Sequence, residues 1–179
     1  MQKIVLDKKV IFYKIGDKNI TNKYLLLQTL AKDAFGVDLI IEKKSNKPYI
    51  FNHKDLYCSV SDSKDMLFVA LCKDSHIGVD VEFLRPRKKE LLRYLCNKEE
   101  RNILMNFFKN KNEIETIIWS IKESAQKSDT TIFDPKKYVT TICENNLLKI
   151  KRNNNVWTCS TFTKDSYFFS ISVKENMVK

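Results

Sequence analysis

The chain has 179 residues, enough for one compact domain or two tightly packed halves around a buried core. Its 43% hydrophobic content places it with globular proteins, and Gly 3 and Pro 3 exclude a flexible Gly/Ser or polyproline linker. Lys+Arg 32 against Asp+Glu 22 give a formal charge of +10, which favours encounter with an anionic partner: nucleic acid, a phosphorylated cofactor or an acidic protein.

In chain order, Met1 to Lys9 is charged and lacks the apolar run of a signal peptide. No apolar stretch approaches the roughly 20 residues that span a bilayer. Val10 to Ile15 alternates as a strand. Thr21 is placed to cap a helix whose apolar residues Tyr24, Leu27, Leu30, Ala31, Ala34 and Phe35 follow helical spacing and stop at Gly36. Leu39 to Glu42 reads as a strand and Lys47-Pro48-Tyr49 as a break, after which Tyr57 to Ser61, Met66 to Cys72 and Ile77 to Phe83 read as strands. Asn97, with Glu100 three residues on, predicts a capping box at the start of a helix over Lys98 to Lys109. A second helix is predicted from Glu113 to Ser128, with Ile114, Ile117, Ile118, Ile121 and Ala125 as its core stripe. Strands return at Tyr138 to Cys143, Leu147 to Lys151 (after a turn at Asn145-Asn146), Val156 to Phe162 and Tyr167 to Val173. This irregular alternation predicts an α+β fold. Cys58, Cys72, Cys96, Cys143 and Cys159 are odd in number and contain no CxxC pair, so neither a disulfide framework nor a zinc site is expected. A cytoplasmic protein is the expectation.

Two segments carry candidate chemistry. In a strand over 77–83, Gly78, Asp80 and Glu82 share one face, and Gly78 is read as leaving room for a ligand. Paired carboxylates repel unless solvent or a cation separates them, and oxygen donors suit Mg²⁺ or Mn²⁺. The bland alternative is an edge strand with a polar outer face. In the second segment, helical spacing puts Trp119, Glu123 and Lys127 on one side, with Lys122 beside them. There the bland alternative is an exposed Glu123–Lys127 pair worth a few tenths of a kcal/mol.

Together the segments resemble the paired motifs of the Sfp-like 4′-phosphopantetheinyl transferases, G-(I/V)-D-x-E and W-x-x-K-E-(S/A)-x-x-K, both complete and in order. Lys47-Pro48-Tyr49 resembles that family's G-K-P-x element, with Asn46 in the glycine position. Ser59 to Ser63 resembles N-(I/L)-S-H-S, with Asp62 in place of histidine. Tyr94 to Glu99 resembles the F-x-x-x-E region, and Val156 to Val173 the closing strands. The resemblance covers about Lys43 to Lys174. After Lys127 the family often has glycine, where this chain has Ser128-Asp129-Thr130.

The resemblance implies two similar α+β halves, 1–75 and 76–179, packed as an intramolecular pseudo-dimer with the active site in the cleft between them. It implies a monomer that moves phosphopantetheine from coenzyme A to a serine of an acidic apo carrier protein, as a holo-(acyl-carrier-protein) synthase does. Asp80, Glu82 and Glu123 would hold Mg²⁺ or Mn²⁺, and Glu123 and Lys127 would be catalytic. Coenzyme A would meet Lys47, Pro48, Ser61, Asp62, Lys64, Asp80, Lys122 and Lys127. Asp62 would stand against the 3′-phosphate, with Lys64 placed to compensate. One alternative is a degenerate relative that binds coenzyme A without catalysis. Another is a basic nucleic-acid-binding domain, although no RRM-type aromatic motif, zinc knuckle or helix-turn-helix is recognisable. Nothing in the sequence selects a fatty-acid, polyketide or non-ribosomal-peptide carrier.

Overall fold

A computed structural model of the chain describes residues 2–6, 9–15, 23–44, 47–87, 90–108, 113–129, 133–142 and 147–175. The expected cap Thr21, Asn46, Lys109, Thr130, Cys143 and the expected turn at Asn145-Asn146 lie outside the described residues.

Strands β1 (Gln2–Leu6), β2 (Lys9–Ile15), β5 (Leu56–Ser63) and β6 (Met66–Lys73) form an antiparallel sheet of order β1-β2-β6-β5. Helix α1 (Lys23–Phe35) ends at Gly36, which adopts φ +69° and donates to Lys32 O at 3.0 Å, the left-handed cap expected from the sequence. Strands β3 (Ile41–Lys44) and β4 (Lys47–Ile50) form a separate ribbon, with Pro48 opposite Lys43. The expected break at 47–49 is therefore a strand. A two-stranded ribbon tolerates proline because one side of β4 needs no ladder hydrogen bond.

The second sheet has the order β7-β11-β10-β9-β8, antiparallel throughout, from β7 (Ile77–Phe83), β8 (Val139–Ile142), β9 (Leu148–Arg152), β10 (Asn155–Lys164) and β11 (Tyr167–Lys174). Between β7 and β8 come α2 (Glu90–Leu95), α3 (Lys98–Phe107), α4 (Ile114–Lys127) and a 3-10 turn at Pro135–Lys137. With both sheets antiparallel and the helices on outer faces, the fold is α+β.

Strand periodicity explains the layering. Met66, Phe68, Ala70 and Cys72 of β6 pack against Ile77, Val79 and Val81 of β7 and Phe169 and Ile171 of β11, forming a core between the sheets. The opposite face of β6, Leu67, Val69 and Leu71, packs under Leu27, Leu30 and Ala31 of α1. Both faces of β6 are buried, hence its unbroken apolar run. A third cluster joins Ile117, Ile118, Ile121 and Ala125 of α4 to Trp157, Cys159 and Phe168 on the outer face of the second sheet.

The two sheets meet where edge strand β5 runs beside edge strand β7. No backbone ladder joins them. Instead the N–H groups of Val79, Val81 and Phe83 donate to the hydroxyls of Ser59, Ser61 and Ser63 at 3.0, 3.3 and 3.1 Å. A period-two serine row thus satisfies the free edge of β7.

Candidate active site

Gly78 sets how closely α4 approaches β7. A Cβ at this position would stand 1.9 Å from Ser124 O and 2.7 Å from Ser128 N, so only glycine permits the contact. The room expected there for a ligand is filled by the helix backbone. Small polar residues complete the approach: the hydroxyls of Ser120 and Ser170 lie 2.8 Å apart, and those of Ser124 and Ser172 2.6 Å apart. This docking carries Glu123 on α4 to the face of β7 that bears Asp80 and Glu82.

One ligand oxygen from each of Asp80, Glu82 and Glu123 falls within 4.8 Å of the others. Asp80, 3% exposed, accepts at Oδ1 from Lys127 Nζ and from Ser61 Oγ, both at 2.8 Å. Its Oδ2 is buried and accepts no hydrogen bond among the described residues. Glu82 Oε2 lies 2.9 Å from Arg87 Nη2, and Glu123 Oε1 lies 3.5 Å from Lys127 Nζ.

Burial first, and then mutual repulsion, shifts these groups. Burial, then the neighbouring Asp80 charge, raises the Glu82 carboxyl above the usual carboxylate range, and Arg87 offsets part of the rise. Burial and Asp80 likewise raise Glu123, with Lys127 opposing. Burial works against the Lys127 ammonium, but Asp80 and Glu123 outweigh it and its pKa is raised. Three carboxylates thus face two cationic side chains, and one buried oxygen has no donor. An oxygen-only donor set of this kind is one that Mg²⁺ or Mn²⁺ fits.

The family model of the 4′-phosphopantetheinyl transferase superfamily matches residues 76–167, just over half of the chain. The chain belongs to that superfamily. No curated protein gives a significant match. The matched segment holds all three carboxylates, Lys122 and Lys127, and leaves Lys47, Ser61, Asp62 and Lys64 outside.

Two of the phosphopantetheinyl transferase residues expected at the cofactor have their polar groups saturated within the protein. Lys122 is fully buried and donates to Leu95 O at 2.6 Å, Glu100 Oε2 at 2.9 Å and Pro135 O at 3.0 Å, so its three donors are spent. The expectation that Lys122 contacts coenzyme A is corrected accordingly: it braces α4 from within. Ser61 Oγ donates to Asp80 and accepts from Val81 N and from Lys127 Nζ at 2.9 Å, which leaves no free position for a cofactor. Ser61 acts on Asp80 and Lys127 instead.

Lys47 Nζ donates to Gln126 O in the last turn of α4 at 3.0 Å and to Asp129 O just beyond the helix at 2.5 Å. Burial lowers its pKa, opposed by Asp129. Pro48 lines a surface cavity of about 270 Å³ with Tyr49, His53, Lys54 and Tyr57. Asp62 is exposed and ion-paired with Lys23 of α1. Lys64, at φ +52° in the β5–β6 turn, lies over the Phe83 ring, 3.0 Å from its centroid. The partner of Asp62 is therefore Lys23 and not Lys64.

Sequence reasoning missed Arg87 and the inward role of Glu100. Arg87 stood in a basic run with no local mark to separate it from Arg85. Glu100, expected to reach back to Asn97 in a capping box, turns inward to Lys122 and to Thr140 N, which donates at 2.7 Å. Half of the box remains: Asn97 Oδ1 accepts from Glu100 N at 2.8 Å.

Proposed function

We propose that the chain transfers the 4′-phosphopantetheine group of coenzyme A to a serine of an apo carrier protein and releases 3′,5′-ADP. Its site would lie between two α+β halves, 1–75 and 76–179, related as a pseudo-dimer. The observation that carries this reading is the Asp80–Glu82–Glu123 cluster, with the donorless Asp80 Oδ2 and the Lys127 ammonium, inside the segment that matches the transferase superfamily.

Asp80, Glu82 and Glu123 would hold Mg²⁺ or Mn²⁺. When bound, such an ion neutralises diphosphate oxygens and the charge that develops on the leaving group. Lys127, held by Asp80 and Ser61 and more loosely by Glu123 at 3.5 Å, would turn that third donor to a phosphate oxygen. The carrier serine oxygen attacks the phosphorus that bears pantetheine, and the bond from that phosphorus to 3′,5′-ADP breaks. Glu123 accepts the serine proton. Catalysis is mainly positioning and charge neutralisation. An acidic carrier suits the basic surface, where Arg93, Lys98 and Arg101 line a groove of about 370 Å³ between α2 and α3.

The test incubates the protein with coenzyme A, Mg²⁺ and apo carriers of the fatty-acid, polyketide and non-ribosomal-peptide types, and reads the intact mass of each carrier. At least one carrier is expected to gain phosphopantetheine, with the gain lost in EDTA and in Glu123→Ala. No gain on any carrier, or full activity in EDTA, overturns the proposal.

A further inference from the structure

The three clustered carboxylates share more than proximity. Each has one oxygen facing a fixed cation: Asp80 Oδ1 meets Lys127 at 2.8 Å, Glu82 Oε2 meets Arg87 at 2.9 Å, and Glu123 Oε1 faces Lys127 at 3.5 Å. One oxygen from each lies within 4.8 Å of the others, and Asp80 Oδ2 is buried and accepts no hydrogen bond among the described residues.

Arg87 is itself braced. Its Nε donates to Thr116 Oγ1 at 3.1 Å, and that hydroxyl donates to Arg85 O at 3.0 Å. Thr116 is fully buried, and the guanidinium carbon lies 5.7 Å from the Trp119 ring centroid. Turning both Glu82 oxygens to one ion therefore competes with a held ion pair. A carboxylate tied in this way favours coordination through its other oxygen. Ca²⁺ favours roughly 6–8 oxygens and readily takes carboxylates through both, whereas Mg²⁺ needs a tight octahedron of single oxygens and keeps several waters.

Resting on the reading of these carboxylates as metal ligands, we infer that Arg87, with Lys127, enforces one-oxygen coordination and so makes the site select Mg²⁺ or Mn²⁺ against Ca²⁺. Arg87 is a positioning residue that acts through Glu82. Its charge alone would weaken the binding of all divalent ions alike, so the ratio of affinities isolates the coordination effect.

The experiment titrates the full chain calorimetrically with Mg²⁺ and with Ca²⁺, without and with coenzyme A. The wild type is expected to bind Mg²⁺ at least as tightly as Ca²⁺. In Arg87→Met, loss of the charge tightens both ions, and the freed Glu82 oxygen shifts the ratio toward Ca²⁺ by about tenfold. Thermal melting checks the fold. If Arg87→Met does not fold, Thr116→Val, which removes only the brace, should shift the ratio the same way by about threefold. An unchanged ratio in a folded variant that binds both ions overturns the inference and leaves the metal site standing. So does a wild type that prefers Ca²⁺. Binding of neither ion by the wild type removes the metal reading itself, and this inference with it.

Discussion

Lys122 and Glu100 form an ion pair of 2.9 Å with side chains 0% and 2% exposed, one residue along α4 from the carboxylate cluster. The pair ties α4 to α3, while the third donor and the second carboxylate oxygen reach Pro135 O and Thr140 N. Burial lowers the Lys122 pKa and Glu100 partly restores it. Breaking such a pair on one side strands a buried charge, at about 3–5 kcal/mol. Lys122→Met should therefore lower unfolding free energy by that amount in urea titration, and adding Glu100→Gln should recover more than half. A loss of under ~1 kcal/mol in the single variant would show that Glu100 finds water or a proton at little cost.

Gly78→Ala should be among the most damaging single-atom changes in the protein. Its methyl group meets backbone on α4 and not a flexible side-chain end, so the helix itself must move. Overpacking of this kind costs typically 1–3 kcal/mol, and here we expect about 3 kcal/mol or more. Because the displaced helix carries Glu123 and Lys127, transfer activity should fall further than stability does when the two are measured at a temperature where the variant is still folded. Equal stability and activity to the wild type would show that the close approach is not required.

Glu82 and Glu123 both have carboxyls raised by burial and by Asp80. A carboxyl with a raised folded-state pKa contributes stability that is complete below its unfolded value, ~4.3, and is lost as pH rises through the folded value. In EDTA the melting temperature of the wild type relative to Glu123→Gln should therefore be higher near pH ~4.3 than near pH ~7.5. Added Mg²⁺ should raise the melting temperature more at pH ~7.5, because ligating carboxylates must be deprotonated. An identical pH profile in the wild type and Glu123→Gln would remove Glu123 as a source.

Asp62, where the resemblance expects a histidine, is exposed and paired with Lys23. Such pairs contribute about 0–1 kcal/mol, so neither side chain should matter much to stability. If the 3′-phosphate of coenzyme A comes to this position, Asp62→Ala frees Lys23 and lowers the KM for coenzyme A, while Lys23→Ala raises it. Dephospho-coenzyme A should respond to neither change. Lys64→Ala, which removes a cation from the Phe83 ring, should leave the KM for coenzyme A unaltered. A KM effect confined to Lys64→Ala would restore Lys64 as the phosphate partner.

Local pattern alone placed the cores of most strands and helices, because periodicity reports which face of an element is apolar. It put Gly78, Asp80 and Glu82 on one face of a strand, Glu123 and Lys127 on one face of a helix, and the left-handed stop at Gly36. It did not reveal β1 or α2, which are five and six residues long and leave little room for a period to develop. Tertiary structure decided the rest. Lys122, expected from the resemblance to meet coenzyme A, is turned inward by Glu100, 22 positions away in sequence. Lys47 donates to carbonyls 79 and 82 residues on, and Arg87 is braced by a threonine 29 residues on. Spacing can state which side chains share a face, but the partner of a charged group depends on which faces pack together. Here that packing turns on a single missing Cβ at Gly78 and on a row of serines along the edge of β7.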